Sequence, residues 1–265
     1  MQQSSFALES PIEAQQPPLF RQSDPLVLPD APPLTATHPA VDQGARQNFV
    51  WTLAHELRQP LAVLSTAVAL VRHDAPSEAT VRAVDIMGRQ ISQMSRMVED
   101  LVDAARLVNG KVSIQLERLD LRTVAAEAAI DVEGQMTERR QTFDVHCGMA
   151  PLFVRGDAQR LHQVFSNLLR NALQYTDPGG RITLTVEGAP ATVTARVLDN
   201  GRGIGAPGLA RIFDLFTQIE PATTGLGIGL NVVREIVALH SGMIQAHSAG
   251  LGKGSEFVVV LPRIE

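Results

Sequence analysis

The chain has 265 residues, a formal net charge of -5 and one cysteine, Cys147. The acidic balance argues against a nucleic-acid binder, which carries a basic patch or stripe. A single cysteine excludes an intramolecular disulfide and a cysteine-based zinc site, and suits a reducing cytoplasm. Hydrophobic residues make up 45% but aromatics only 4%, so the core must come from Leu, Ile, Val, Ala and Met.

Residues 1–45 hold Pro11, Pro17, Pro18, Pro25, Pro29, Pro32, Pro33 and Pro39 among Gln and Ser. Proline blocks helix and removes a backbone donor, and no apolar periodicity appears. This stretch reads as a disordered tail, with a docking segment for a partner as the alternative. The opening MQQSSFALES lacks the basic start and apolar run of a signal peptide. The longest nearly apolar stretch, Leu61 to Val71, is too short to span a bilayer. The reading is a soluble, cytoplasmic chain without membrane insertion.

From about Arg46 the pattern turns helical. Leu53, Leu57, Leu61, Leu64, Val68 and Val71 recur at three- and four-residue steps and share one helix face. After the break at His73–Ser77, a heptad-like seam runs through Val84, Met87, Ile91, Met94, Val98, Leu101, Ala105 and Val108, and Asn109-Gly110 caps it. Two helices joined by a short loop predict an antiparallel hairpin. One hairpin buries little surface, so two copies in a four-helix bundle, a homodimer, are expected.

Beyond Gly110 the period changes. Val112 to Leu116 alternates as a strand does, and Leu121 to Arg139 reads as a helix. Strands are expected at 142–146 and 152–155, a helix from Asp157 to Tyr175, and strands at Arg181–Glu187 and Thr192–Leu198. A glycine-rich region over 201–229 leads into a helix to His240, followed by strands at 243–248 and 255–261. Adjacent strands mixed with helices predict an α+β fold: a mixed sheet with helices on one face, an α/β sandwich. The chain divides into a tail (1–45), a helical hairpin domain (46–110) and the sandwich (111–265).

Chemistry concentrates in separate runs. In HELRQPL, His55 lies about 200° around the helix from Leu53, whereas Leu57 lies about 40° from it, so His55 leaves the apolar stripe. A neutral imidazole is a good nucleophile, and the adjacent Glu56 carboxylate is placed to take its second proton. In NLLRNALQY, Asn167 and Asn171 stand four apart on one helix face, and their carboxamide oxygens are hard ligands suited to Mg²⁺. Leu161, Val164, Phe165, Leu168, Leu169 and Leu173 form the opposite, buried face. In DNGRGIG, Asp199 ends an apolar strand, where a carboxylate accepts from an exocyclic amine, and Gly201 and Gly203 let the backbone approach a flat ring. In TGLGIGL, Gly225, Gly227 and Gly229 open a helix whose free N–H groups face phosphate oxygens. The GxxxxGK[ST] loop is absent.

Order and spacing together resemble the bacterial sensor histidine kinases of two-component signalling. HELRQPL is similar to their phosphoacceptor box, NLLRNALQYT to the asparagine box, LDNGRGIG and TGLGIGLNVVREIVALHSG to the two glycine boxes, and ARIFDLFTQ to the phenylalanine box. The run from Gly250 to Phe257 fits the last hairpin. The resemblance spans about residues 46–262.

The resemblance implies a dimerisation and phosphoacceptor hairpin followed by an ATP-binding α/β sandwich of the GHKL (Bergerat) type, shared with Hsp90, MutL and gyrase. It implies ATP and Mg²⁺ as cofactors. His55 becomes the phosphoacceptor, Glu56 its general base, Asn171 the Mg²⁺ ligand supported by Asn167, and Asp199 the reader of adenine. Tyr175, Gly201, Gly203, Gly225, Gly227, Gly229 and Leu230 complete the nucleotide site. The partner implied is the receiver domain of a separate response regulator.

Departures from the family pattern keep other readings open. Gln174 and Gln218 stand where basic residues are common, and Gln59 stands where phosphatase-competent members carry Thr or Asn. A weakly active or inactive kinase-like regulator that docks a partner is the competing reading. A chaperone- or repair-type ATPase is the third, opposed by the hairpin carrying HELRQP.

Overall fold

The computed structural model describes residues 57–58, 60–71, 78–108, 114–218 and 227–265. The tail of residues 1–45 and the candidate residues His55, Glu56 and Gly225 lie outside the described residues.

Residues 60–71 form α1 and Glu78–Val108 form α2. The polar positions in the apolar part of α1 are satisfied within the helix. Ser65 and Thr66 hydroxyls donate to the carbonyls of Leu61 (2.8 Å) and Ala62 (3.0 Å). Glu78 in the first turn of α2 favours the helix dipole and pairs with Arg82 one turn on. The seam of α2 is split. Met87 and Met94 are half-buried and Met97 is buried, but Val84, Ile91 and Val98, seven residues apart, are 51–56% exposed. The hairpin leaves a groove of about 480 Å³ lined by Ala62, Val63, Ala67, Leu70, Ala83 and Ile86, among others.

The sandwich begins with β1 (Glu117–Asp120), which pairs antiparallel with β3 (Phe153–Gly156). This corrects the strand expected at Val112–Leu116 over residues 114–116, which are irregular; residues 112–113 lie outside the described residues. Alternation alone does not choose a partner. Here Leu119 pairs with the buried Val154, while the Gln115 N–H donates to the Asp157 carboxylate (3.1 Å) and is tied to a helix start rather than to a ladder. Asp120 ends β1 and also caps α3 (Leu121–Glu138), accepting from the Arg122 N–H (3.2 Å) and the Leu152 N–H (3.1 Å).

After α3 come β2 (Thr142–Cys147), β3 and α4 (Ala158–Tyr175), with Asp157 as the N-cap of α4. Then follow β4 (Arg181–Gly188), β5 (Thr192–Asp199), a short α5 (Ala206–Leu209), α6 (Gly229–Leu239), β6 (Met243–His247) and β7 (Ser255–Pro262). The one-turn α5, with Pro207 in its first turn, interrupts the region read as a glycine-rich loop. The main sheet has the order β2-β4-β5-β7-β6; β2 runs parallel to β4 and the other pairs are antiparallel.

Strand side chains alternate faces, so Val193, Ala195 and Val197 of β5 and Phe257, Val259 and Leu261 of β7 join one core with Leu161, Phe165 and Leu168 of α4 and Val233 and Ile236 of α6. Helices α3, α4 and α6 supply the second layer, as expected for the sandwich. Met97 of α2 also enters this core, with Leu57 packed against it. Among the described residues no helix is long and apolar enough to cross a membrane.

Candidate nucleotide-binding site

The alternation of β5 decides where its last side chain points. Asp199 continues the inward set Val193, Ala195, Val197 and is 3% exposed, at the boundary between the sheet and the helical layer. Its carboxylate accepts from the Gly201 N–H at 2.9 Å. Register places Ser255 of β7 directly opposite, and that residue supplies both a hydroxyl and a backbone N–H to the same carboxylate. Burial pushes the Asp199 pKa up from the ordinary carboxylate value, and the Gly201 and Ser255 donors pull against it. A buried carboxylate with preset donors is a directional acceptor for an amine.

The loop after Asp199 packs under the end of α4. The Arg202 N–H donates to the Tyr175 carbonyl (3.0 Å), and a β-carbon on Gly201 would overlap that same oxygen. Glycine is therefore required by close approach. Gly203 lies against the Gly250 carbonyl.

Helix α4 carries both asparagines. Asn167 is 6% exposed rather than solvent-facing, which corrects the simple two-faced reading of this helix. Helix α6 covers it: the Asn167 Nδ2 lies 3.5 Å from the Gly229 carbonyl, and its Oδ1 accepts from the Arg170 guanidinium. Asn171, one turn later, is half-buried, as is Tyr175. Both ends of α4 are pinned. At the start, the Asp157 N–H donates to His240 Nε2 (2.9 Å), and His240 Nδ1–H donates to the Ile236 carbonyl (2.7 Å). At the end, Gln141 Nε2 serves the carbonyls of Leu173 (3.1 Å) and Thr176 (2.6 Å), and Arg139 serves Leu173 (2.9 Å).

The opening of α6 faces Asn167 through Gly229, and Leu230 packs half-buried against the core. Gly227 has φ 65°, and a β-carbon there would come 2.7 Å from the Thr217 carbonyl. Its own carbonyl accepts from the Phe216 N–H (2.9 Å), so the phenylalanine run and the second glycine run are stitched together. Asn231 reinforces this by donating to the Phe213 carbonyl (3.0 Å).

The site thus gathers Asp199, Gly201, Gly203, Asn167, Asn171, Tyr175, Gly227, Gly229 and Leu230 around the seam between β5, α4 and α6. Sequence reading missed Ser255 and His240 as members of this framework. The signal for Ser255 was its position just after Gly252-Lys253-Gly254, and its partner became visible only through strand register.

Two family models match the chain. Residues 45–110 match the His Kinase A (phospho-acceptor) domain, and residues 156–265 match the histidine kinase-, DNA gyrase B-, and HSP90-like ATPase. The probable sensor histidine kinase TcrY of Mycobacterium tuberculosis is 33% identical over 240 residues, covering 85% of this chain and 49% of that protein. The solved structure of full-length ShkA in complex with AMPPNP is similar with TM-score 0.60 and 26% identity, covering 82% of this chain and 46% of that chain. The histidine kinase ThkA in complex with the response regulator protein TrrA shares the fold, with TM-score 0.59 and 19% identity, over 84% of this chain and 65% of that chain. This chain spans 28–49% of the length of the first curated relatives it matches. With both family domains in order along the chain and the ATPase framework formed around Asp199, the chain belongs to the sensor histidine kinases of two-component signalling.

Proposed function

We propose that this chain transfers the γ-phosphoryl group of ATP to His55 and then passes it to an aspartate of a separate response regulator. The observation that carries this reading is the buried Asp199 carboxylate, preset by Gly201 and Ser255 and facing the seam where α4 brings its asparagines. An imidazole nitrogen of His55 attacks the γ-phosphorus, the bond to the ADP oxygen breaks, and Glu56 takes the second ring proton. Phosphoryl transfer needs positioning and charge neutralisation more than covalent help.

The donor set fits Mg²⁺. The carboxamide oxygens of Asn167 and Asn171 are hard donors, which suit an ion that takes one or two protein oxygens and the phosphates. Asn171 is proposed as that ligand, with Asn167 held behind it. When bound, the ion neutralises phosphate charge.

The hairpin is proposed to dimerise as a four-helix bundle. Its exposed Val84, Ile91 and Val98 and the apolar groove between α1 and α2 support a second copy as the covering surface. The division into hairpin and catalytic parts near residue 110 and a cytoplasmic site of reaction, where ATP and a receiver domain are met, belong to the same proposal.

Incubation of the purified chain with γ-labelled ATP and Mg²⁺ tests it, alongside His55→Gln and Asn171→Ala. Acid-labile, base-stable label on wild type alone supports the kinase. ATP binding without label on wild type favours the second reading, a kinase-like regulator, which Gln174 and Gln218 in place of basic residues would explain.

A further inference from the structure

The loop that follows Asp199 belongs to neither a helix nor a sheet ladder, yet it must hold its shape for the carboxylate to be met from one direction. What fastens it is the turn between β6 and β7, over residues 248–254. Rungs run from the Gly252 N–H to the Arg202 carbonyl (2.6 Å) and from the Gly254 N–H to the Gly201 carbonyl (3.1 Å). At the start of this turn stands Ser248. Its Oγ accepts from the Ile204 N–H (2.9 Å) on one side. On the other it donates to the Gly254 carbonyl (2.7 Å) and accepts from the Gly250 N–H (3.3 Å). A hydroxyl has one donor and two acceptor sites, and all are used.

We propose that Ser248 is a positioning residue for nucleotide binding: its hydroxyl joins the loop after Asp199 to the β6–β7 turn and so preforms the adenine side of the pocket. This rests on the reading of Asp199 as the adenine acceptor. Ser248 lies outside the apolar core that joins the sheet to α3, α4 and α6. Ile204, by contrast, is 7% exposed, and its N–H donates to the Ser248 hydroxyl. Removing the hydroxyl leaves that N–H unpaired, and the loop must open to hydrate it. The loss then falls on preorganisation for the ligand rather than on the core.

The experiment uses the full chain, a fluorescent ATP analogue for Kd and γ-labelled ATP for autophosphorylation rates. Ser248→Ala is expected to raise Kd and KM for ATP about tenfold, the worth of one hydrogen-bonded node, with kcat at saturating ATP unchanged. Ser248→Thr, which keeps the hydroxyl, restores wild-type affinity. Wild-type affinity in Ser248→Ala overturns the proposal, as does a loss in Ser248→Thr equal to that in Ser248→Ala. Asp199→Ala is measured alongside. If it still binds ATP, the adenine reading underneath has failed; if it loses binding while Ser248→Ala does not, the assignment of Ser248 alone has failed.

Discussion

Gly201 and Tyr175 touch backbone to backbone: the space for a β-carbon on Gly201 is taken by the Tyr175 carbonyl oxygen, which also accepts the neighbouring Arg202 N–H at 3.0 Å. Two motifs far apart in sequence are thereby held as one surface. Gly201→Ala cannot be absorbed by a side-chain rotation, because the obstacle is backbone. It is expected to destabilise the chain by about 1–3 kcal/mol and to weaken ATP binding at least as strongly as Ser248→Ala. Thermal melting and titration with an ATP analogue check both effects.

Asp199 sets function against stability. Its folded pKa is raised by burial, so the unfolded chain gives up this proton at lower pH than the folded one. The stability attached to this group is therefore greatest below the unfolded value of about 4, and it declines as pH rises through the raised folded value. At neutral pH the charge costs stability. Asp199→Asn is expected to melt higher than wild type at neutral pH without nucleotide and to lose the stabilisation that Mg-ADP gives wild type. Calorimetry with and without Mg-ADP decides it; a variant that melts lower and still responds to Mg-ADP contradicts the assignment.

His240 makes the frame sensitive to acid. Burial lowers its pKa below the ordinary imidazole value of about 6.5, and the pair of bonds to Ile236 and Asp157 requires one protonated and one bare ring nitrogen. The folded pKa lies below the unfolded one. Its contribution is thus complete above the unfolded value and is lost as pH falls from there through the folded value. Melting temperature is expected to fall as pH drops below about 6.5, and His240→Gln to flatten that slope. A slope unchanged in the variant places the sensitivity elsewhere.

The exposed row Val84, Ile91, Val98 gives a test of assembly. Placing a charge in the middle of an apolar helix interface strongly opposes association. Under the proposed pairing, wild type sediments as a dimer and Ile91→Glu as a monomer at the same concentration, while the catalytic part of the variant keeps its affinity for ATP.

Much of the site was readable because its parts are local. Asp199 ends a strand whose alternation is complete within its own residues, and Gly203 and Gly227 hold positive φ values of 66° and 65° that favour glycine. What depended on distant partners was not readable. Asn167 shares a helix face with Asn171, as the spacing says, but α6 covers it, and no helical period reports what another helix will do. Ser255 becomes a ligand to Asp199 only when β7 pairs in one register, and His240 acts on a helix start far upstream. The described part of the alternating run, residues 114–116, is irregular for the same reason: β3 pairs with the residues just after it.

The pairing of β5 with β7 has a consequence for how this chain comes to life. Asp199 meets Ser255 across a ladder of residue pairs from Thr192–Pro262 to Asp199–Ser255. A slip by one residue would turn the carboxylate to the other side of the sheet. A nascent or partly melted chain that has not zipped β7 into place has no pocket for ATP. Under the proposed function, competence for ATP therefore arrives with closure of the sheet, and an unfinished molecule stays silent.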